Sequence, residues 1–218
     1  MRSSASSVPP RFRDRTLAGY HPATPSQEAA LEAARDVLRG TIRSLVLIGP
    51  PGVGKTHLAA AIFAECRHPA RWLNVADAIT TLRMEMGLPP EEREAARTIA
   101  MASAHRGLVV LDDLGRENAT DWTGELVYAL VNARYEAMLP SVVTSNRTAA
   151  DLRDGPYWPA ISRLAEDGRL LEVAGPDRRL VRARPMPDPS NSPAVAIAAA
   201  YRKDMEPATP PAGHGGTT

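Results

Sequence analysis

A nine-residue glycine-rich turn constrains this chain more than any other feature. Gly49–His57 reads GPPGVGKTH and follows directly on an apolar run, Leu45–Ile48. It fits the phosphate-loop pattern G-x-x-x-x-G-K-[ST] at Gly49, Gly54, Lys55 and Thr56, with Pro50, Pro51, Gly52 and Val53 between them and His57 behind. Glycines at 52 and 54 let backbone N–H groups turn inward around an anion with no Cβ in the way. The helix expected from Lys55 adds the positive end of its dipole. In such a loop Lys55 reaches the β- and γ-phosphates of ATP, and the Thr56 hydroxyl ligates Mg²⁺. The pattern needs a strand before it and a helix after it, which commits this part of the chain to an α/β fold.

Helix and strand signals alternate on either side of the turn. Ser26 is the expected N-cap of a helix through Arg39, with Leu31, Ala34, Val37 and Leu38 on one face and Gly40 as its stop. The helix from Lys55 runs to about Cys66, and Trp72–Val75 reads as a strand. Helices are expected over Ala76–Met86 and Glu91–Ala104, split by Gly87 and Pro89-Pro90. Leu108–Leu111 is the next strand and Asp121–Leu139 a long amphipathic helix. Val142–Thr144, a short helix at Ile161–Glu166 and a strand at Leu170–Val173 complete the series. Strands apolar on both faces, alternating with helices, predict a parallel sheet of about five strands flanked by helices. Ligands of such sheets bind beyond the C-terminal ends of the strands.

The ends differ from the middle. Residues 1–25 form a Pro/Ser-rich arm, and residues 183–218 a Pro/Gly-rich tail expected to be mostly disordered, with one short helix at 194–205. That leaves 26–182 as the folded unit. The net charge of +1 is silent about nucleic acid, so any basic surface must be local. A single cysteine, Cys66, excludes an internal disulfide and favours a reducing, cytoplasmic setting. The first residues lack the apolar core of a secretory signal, and no run approaches the ~20 apolar residues of a membrane span.

Two strand ends carry polar groups. Leu108–Gly115 reads LVVLDDLG, an apolar run closing on two acids. A phosphate loop needs a carboxylate near its Mg²⁺, which is the expected role of Asp112. Asp113 either orients and deprotonates the attacking water or caps the turn after the strand. Neighbouring strand residues point to opposite faces, so both acids serve one site only if the chain turns there, as Leu114-Gly115 permits. Val142–Thr148 reads VVTSNRT. Its Asn146 either holds the lytic water or contacts the γ-phosphate, although Ser-Asn-Arg-Thr is also ordinary loop chemistry.

GPPGVGKTH, LVVLDDLG and VVTSNRT, in this order and spacing, resemble the AAA+ ATPases, and more narrowly their DnaC/DnaI/IstB branch of helicase loaders and transposition helper ATPases. Two further stretches resemble the same branch: TLAGYHPATPSQEAALEAA at Thr16–Ala34 and AISRLAEDGRLLEVAGPDRR at Ala160–Arg179. The resemblance covers about residues 12–182. It implies an AAA+ core without a C-terminal lid domain, working as a homo-oligomer. It also implies an arginine finger at Arg163 acting on a neighbour's ATP, where a solvated helix arginine is the plainer reading. Tyr20 would lie beside the adenine, and Arg178 or Arg179 would contact phosphate or a neighbour. Single-stranded DNA would run along the insert Ala76–Ala104, with Arg83, Arg93 and Arg97; a solvated charged face explains these equally. Asp113 departs from the Glu more usual in AAA+ proteins. Only the arm precedes the first helix, where the branch usually carries a partner-docking domain. The leading expectation is an ATP-hydrolysing loader of a replicative helicase. A transposition helper, a small-molecule kinase and a non-hydrolysing nucleotide switch are the alternatives.

Overall fold

The computed structural model describes residues 8–166 and 168–181. The chain divides into Met1–Arg178 and Arg179–Thr218. The expected tail disorder and the helix at 194–205 lie outside the described residues. Helix α1 spans Pro25–Arg39, strand β1 Ser44–Ile48, α2 Lys55–Glu65, β2 Ala70–Asn74, α3 Val75–Met84 and α4 Glu94–Ser103. They are followed by β3 at Leu108–Leu114, α5 at Asp121–Glu136, β4 at Ser141–Ser145, α6 at Ala149–Arg153, α7 at Trp158–Glu166 and β5 at Gly168–Glu172. Residues Arg178–Val181 form a last short helical turn, α8.

The five strands form one parallel sheet in the order β2-β3-β4-β1-β5. Every residue of β1 and of β4 is buried, the signature of strands covered on both faces. Alternation then divides the strand residues between two cores. Leu45, Leu47, Trp72, Leu108, Val110 and Val142 pack with α1 and α2, while Val46, Ile48, Leu73, Val109, Leu111 and Val143 pack with α3, α4, α5 and α7. The expected three-layer α/β architecture is the one observed.

Several boundaries moved, each for a local reason. Thr24, not Ser26, caps α1: its side chain accepts from the Gln27 N–H, and Pro25 takes the first helical position, where a missing N–H costs nothing. Ser26 instead bonds the backbone of Ala174, as Thr24 also does, pinning α1 to the segment after β5. The second strand ends one residue early because Asn74 turns its side chain onto the Asp77 N–H and starts α3 there. Pro90–Glu92 is a 3₁₀ turn, so α4 starts only at Glu94. At its far end α5 stops at Glu136, two residues before Met138 adopts φ 56°. The sequence reading missed α6, whose five residues are held by a capping box between Thr148 and Asp151.

Candidate active site at the strand ends

The phosphate loop leaves β1 and enters α2. Lys55 is 5% exposed, and its Nζ donates to the carbonyls of Gly49 and Pro50, each at 2.7 Å. The ammonium is thus held at the loop's mouth by its own backbone. Gly54 has φ 107°, and a Cβ there would meet the Tyr20 ring at 2.7 Å. Tyr20 is 2% exposed; its hydroxyl donates to the Val53 carbonyl and its ring sits edge-on to His57 at 5.2 Å. Burial raises the pKa of this phenol, and the Arg178 guanidinium opposes the rise. The structure therefore places Tyr20 as a brace behind the loop.

Gln27 and Arg178 complete that brace, and sequence reasoning assigned neither of them this part. Gln27 is fully buried; its amide N–H donates to Val53 O at 3.2 Å and its Oε1 accepts from the Ala23 N–H. Arg178 donates to Gln27 Oε1 and His21 O, and covers the Tyr20 ring at 4.5 Å. Its backbone N–H also donates to Gly52 O. The signal for Gln27 was its place as the third residue of a helix whose N-terminus faces the loop, but its contacts lie 26 and 151 residues away.

The two acids of β3 do come to one place. The strand runs three residues further than expected, to Leu114, and its register against β4 shifts between Leu111 and Leu114. Asp113 takes φ 60°, a left-handed conformation in which Asp is among the more tolerant residues. Such a bulge re-aims side chains at a strand end. Asp112 Oδ1 accepts from Thr56 Oγ1 at 3.2 Å and from Thr144 Oγ1 at 2.6 Å. The same Thr144 oxygen accepts the Asp113 N–H, and Asp113 Oδ1 accepts from Asn146 Nδ2 at 3.2 Å. Arg116 lies 3.6 Å from the other Asp113 oxygen. Thr56, Asp112, Thr144, Asp113 and Asn146 thus form one continuous polar chain across α2, β3 and β4.

Burial pushes the Asp112 carboxyl up to about 6; the Asp113 charge adds to this, while the Thr144 and Thr56 hydroxyls and Lys55 oppose it. Lys55 compensates a carboxylate so placed only in part, and a divalent cation would supply the rest. Hard oxygen donors, one hydroxyl and one carboxylate, fit Mg²⁺, which keeps waters and takes its other ligands from phosphates. Among the described residues no group of three or more His, Cys, Asp or Glu is placed to hold a metal alone.

Arg163 stands apart from this cluster. Its guanidinium donates to the Tyr128 hydroxyl at 3.1 and 2.8 Å and lies over the rings of Tyr128 and Tyr135 at 5.4 and 5.2 Å. These partners are on α5, so the arginine of α7 is engaged between the two helices. In the insert, Arg83 donates to Asn118 O, Arg93 to Leu88 O and Met86 O, and Arg97 to Glu91 O. Each is engaged with the backbone of this chain.

The family described as IstB-like ATP binding protein matches residues 33–155, more than half of the chain. The insertion sequence IS21 protein of Pseudomonas aeruginosa, predicted to bind ATP, is 30% identical over 149 residues, 65% of this chain and 54% of that protein. The phage-like element PBSX protein XkdC of Bacillus subtilis is 31% identical over 118 residues, 50% of this chain and 42% of that one. The chain spans about half the length of the curated relatives it matches. Among solved structures, the DnaC helicase loader aligns with TM-score 0.63 and 27% identity, covering 76% of this chain and all of that one. DnaI aligns with TM-score 0.65 at 21% identity, over 78% of this chain and 94% of its own, which shows the shared AAA+ fold.

Proposed function

The chain belongs to the IstB-like ATP-binding proteins, and from that premise we propose that it is an ATP-hydrolysing helicase loader, acting as a homo-oligomer on DNA-replication complexes in the cytoplasm. The observation that carries the hydrolytic reading is the polar chain from Thr56 through Asp112 and Thr144 to Asp113 and Asn146. A protein that only bound nucleotide would need the loop and Asp112, but not a second acid held by an amide at the same rim.

In this reading the loop N–H groups and the Lys55 ammonium bind the β- and γ-phosphates. Thr56 and Asp112 would hold Mg²⁺, which when bound would supply positive charge beside the phosphate oxygens. Asp113 orients the attacking water and takes its proton, and Asn146 fixes the Asp113 carboxylate and the water beside it. Arg163 of each subunit serves the site of the next, where charge on the transferring group favours a guanidinium. Single-stranded DNA and a replicative helicase are the proposed partners. The identity of 27% to the DnaC helicase loader over all of that chain supports this choice.

A transposition helper ATPase is the second reading, favoured by the family match and the IS21 relative. Pull-down of the tagged full chain from its native host with ATP present separates the two. A replicative helicase in the eluate supports loading, and a transposase in its place redirects the assignment. ATP turnover by the purified protein, dependent on Mg²⁺, tests the chemistry itself; its absence leaves a nucleotide switch.

A further inference from the structure

Glu117 follows β3 by three residues and is 6% exposed, yet the chemistry above makes no use of it. Its Oε1 accepts from the Gly115 N–H at 3.1 Å and, by a short hydrogen bond, from the Tyr157 hydroxyl. The Thr123 hydroxyl, in the first turn of α5, lies 3.1 Å from the same phenol oxygen. Glu117 Oε2 is buried with no hydrogen-bond partner among the described residues. Leaving a buried carboxyl oxygen unpaired costs stability, so folding alone gives little reason for this side chain here.

The position of this group is informative. Gly115 lies two residues past Asp113, and the peptide groups on both sides of its Cα are hydrogen-bonded. Glu117 takes its N–H, and Arg147 Nε, next to Asn146, donates to its carbonyl at 2.7 Å. A shift of the Asp113–Asn146 pair therefore reaches Gly115 from either strand. Tyr157 immediately precedes α7, and its carbonyl accepts the Ile161 N–H of that helix. Around it the packing leaves no slack: a Cβ at Gly124 of α5 would meet Pro156 Cβ at 2.6 Å.

Resting on the nucleotide-binding reading above, we infer that the Glu117–Tyr157 contact is a latch that carries the state of the β3 end to α7, the helix bearing Arg163. Both are positioning residues. They set where α7 sits when the pocket of the same chain fills, and so couple one site to the arginine offered to the next. Closely packed two-state contacts of this kind transmit small shifts without continuous deformation.

Amide hydrogen exchange with a non-hydrolysable ATP analogue and Mg²⁺ tests this without relying on turnover. The analogue slows exchange in wild type at the phosphate loop and, by about threefold or more, across residues 158–166. Tyr157→Phe, which keeps the ring and loses only the hydroxyl, retains protection at the loop and loses it at 158–166. Glu117→Gln preserves the acceptor oxygen and keeps the α7 response; Glu117→Ala abolishes it. That pair decides the matter if Tyr157→Phe does not fold. An α7 response equal in wild type, Tyr157→Phe and Glu117→Ala, or absent in wild type while the loop is protected, overturns the latch alone. No protection at the wild-type loop overturns the nucleotide reading and the latch with it.

Discussion

Thr56 Oγ1 donates to Asp112 Oδ1 across 3.2 Å, joining the first turn of α2 to the end of β3 over 56 positions of sequence. The bond places the hydroxyl and the carboxylate on one side of the strand ends, where a cation would need both. Without the cation the carboxylate is a liability. It is 2% exposed, and burial holds it well above the ordinary range.

That liability is measurable. The Asp112 carboxyl titrates near 6 in the folded chain, above its unfolded value of 3.8, so folding favours the protonated form. This contribution is complete below about pH 4 and is lost as pH rises through about 6. Asp112→Asn removes the titration and keeps an acceptor for Thr144 and Thr56. Thermal melts without nucleotide and Mg²⁺ should show the variant more stable than wild type at pH 8, by at most about 3 kcal/mol, and equal to it near pH 4. A variant less stable at both pH values would mean that the carboxylate is compensated in the free protein.

Lys55→Ala removes the buried ammonium from the loop. Binding of a fluorescent ATP analogue should weaken by at least about 30-fold, the cost of truncating one partner of a buried charge pair. The Gly49 and Pro50 carbonyls then lose their donor, the first of them in a buried position, so circular dichroism must show that the fold survives. Anisotropy titrations, with circular dichroism as the control, check both halves.

Asp113→Asn isolates chemistry from conformation. Asn tolerates the left-handed backbone at φ 60° as well as Asp does, so the bulge should persist. Nucleotide affinity should be unchanged while the hydrolysis rate falls about 100-fold or more. Full hydrolysis by the variant would make Asp113 a turn residue.

How much of this was legible in the sequence follows the range of each interaction. The phosphate loop was, because its chemistry is written in consecutive residues. The β3 acids were visible as residue types, but the bulge that reconciles them depends on pairing with β4, where Leu111 meets Val143 and Leu114 meets Ser145. Arg134 gave no signal, since an arginine in the last turn of a helix reads as a solvated charge favouring the dipole. In the structure it is fully buried and donates to Ser141 Oγ and to the carbonyls of Ala102, His105, Gly107 and Pro140. Glu117 and Tyr157, 40 residues apart, were equally silent. Tertiary partners of single polar residues carry no periodicity for a sequence reading to detect.

Arg134 makes a stability prediction from that hidden role. Burial lowers its pKa to about 10, still far above neutral, so the guanidinium stays charged and clamps α4, β3 and β4 around the base of α5. Arg134→Ala strands several buried acceptors and should cost about 3–5 kcal/mol in urea unfolding. Arg134→Lys should recover only part, because an ammonium has three donors for five acceptors.

Arg163 offers the sharpest test of assembly. Its guanidinium contacts Tyr128 and Tyr135 of α5. In the function proposed above it acts on another subunit. Arg163→Ala alone should then bind nucleotide normally and hydrolyse it slowly, and Lys55→Ala alone should be inactive. Mixed together, they pair an intact loop from the first with an intact arginine from the second. Activity should rise above either variant alone, peaking at intermediate ratios. Light scattering on the mixture confirms that the subunits assemble. Assembly with no recovery at any ratio would place Arg163 as a helix–helix anchor that the two tyrosines hold for packing alone.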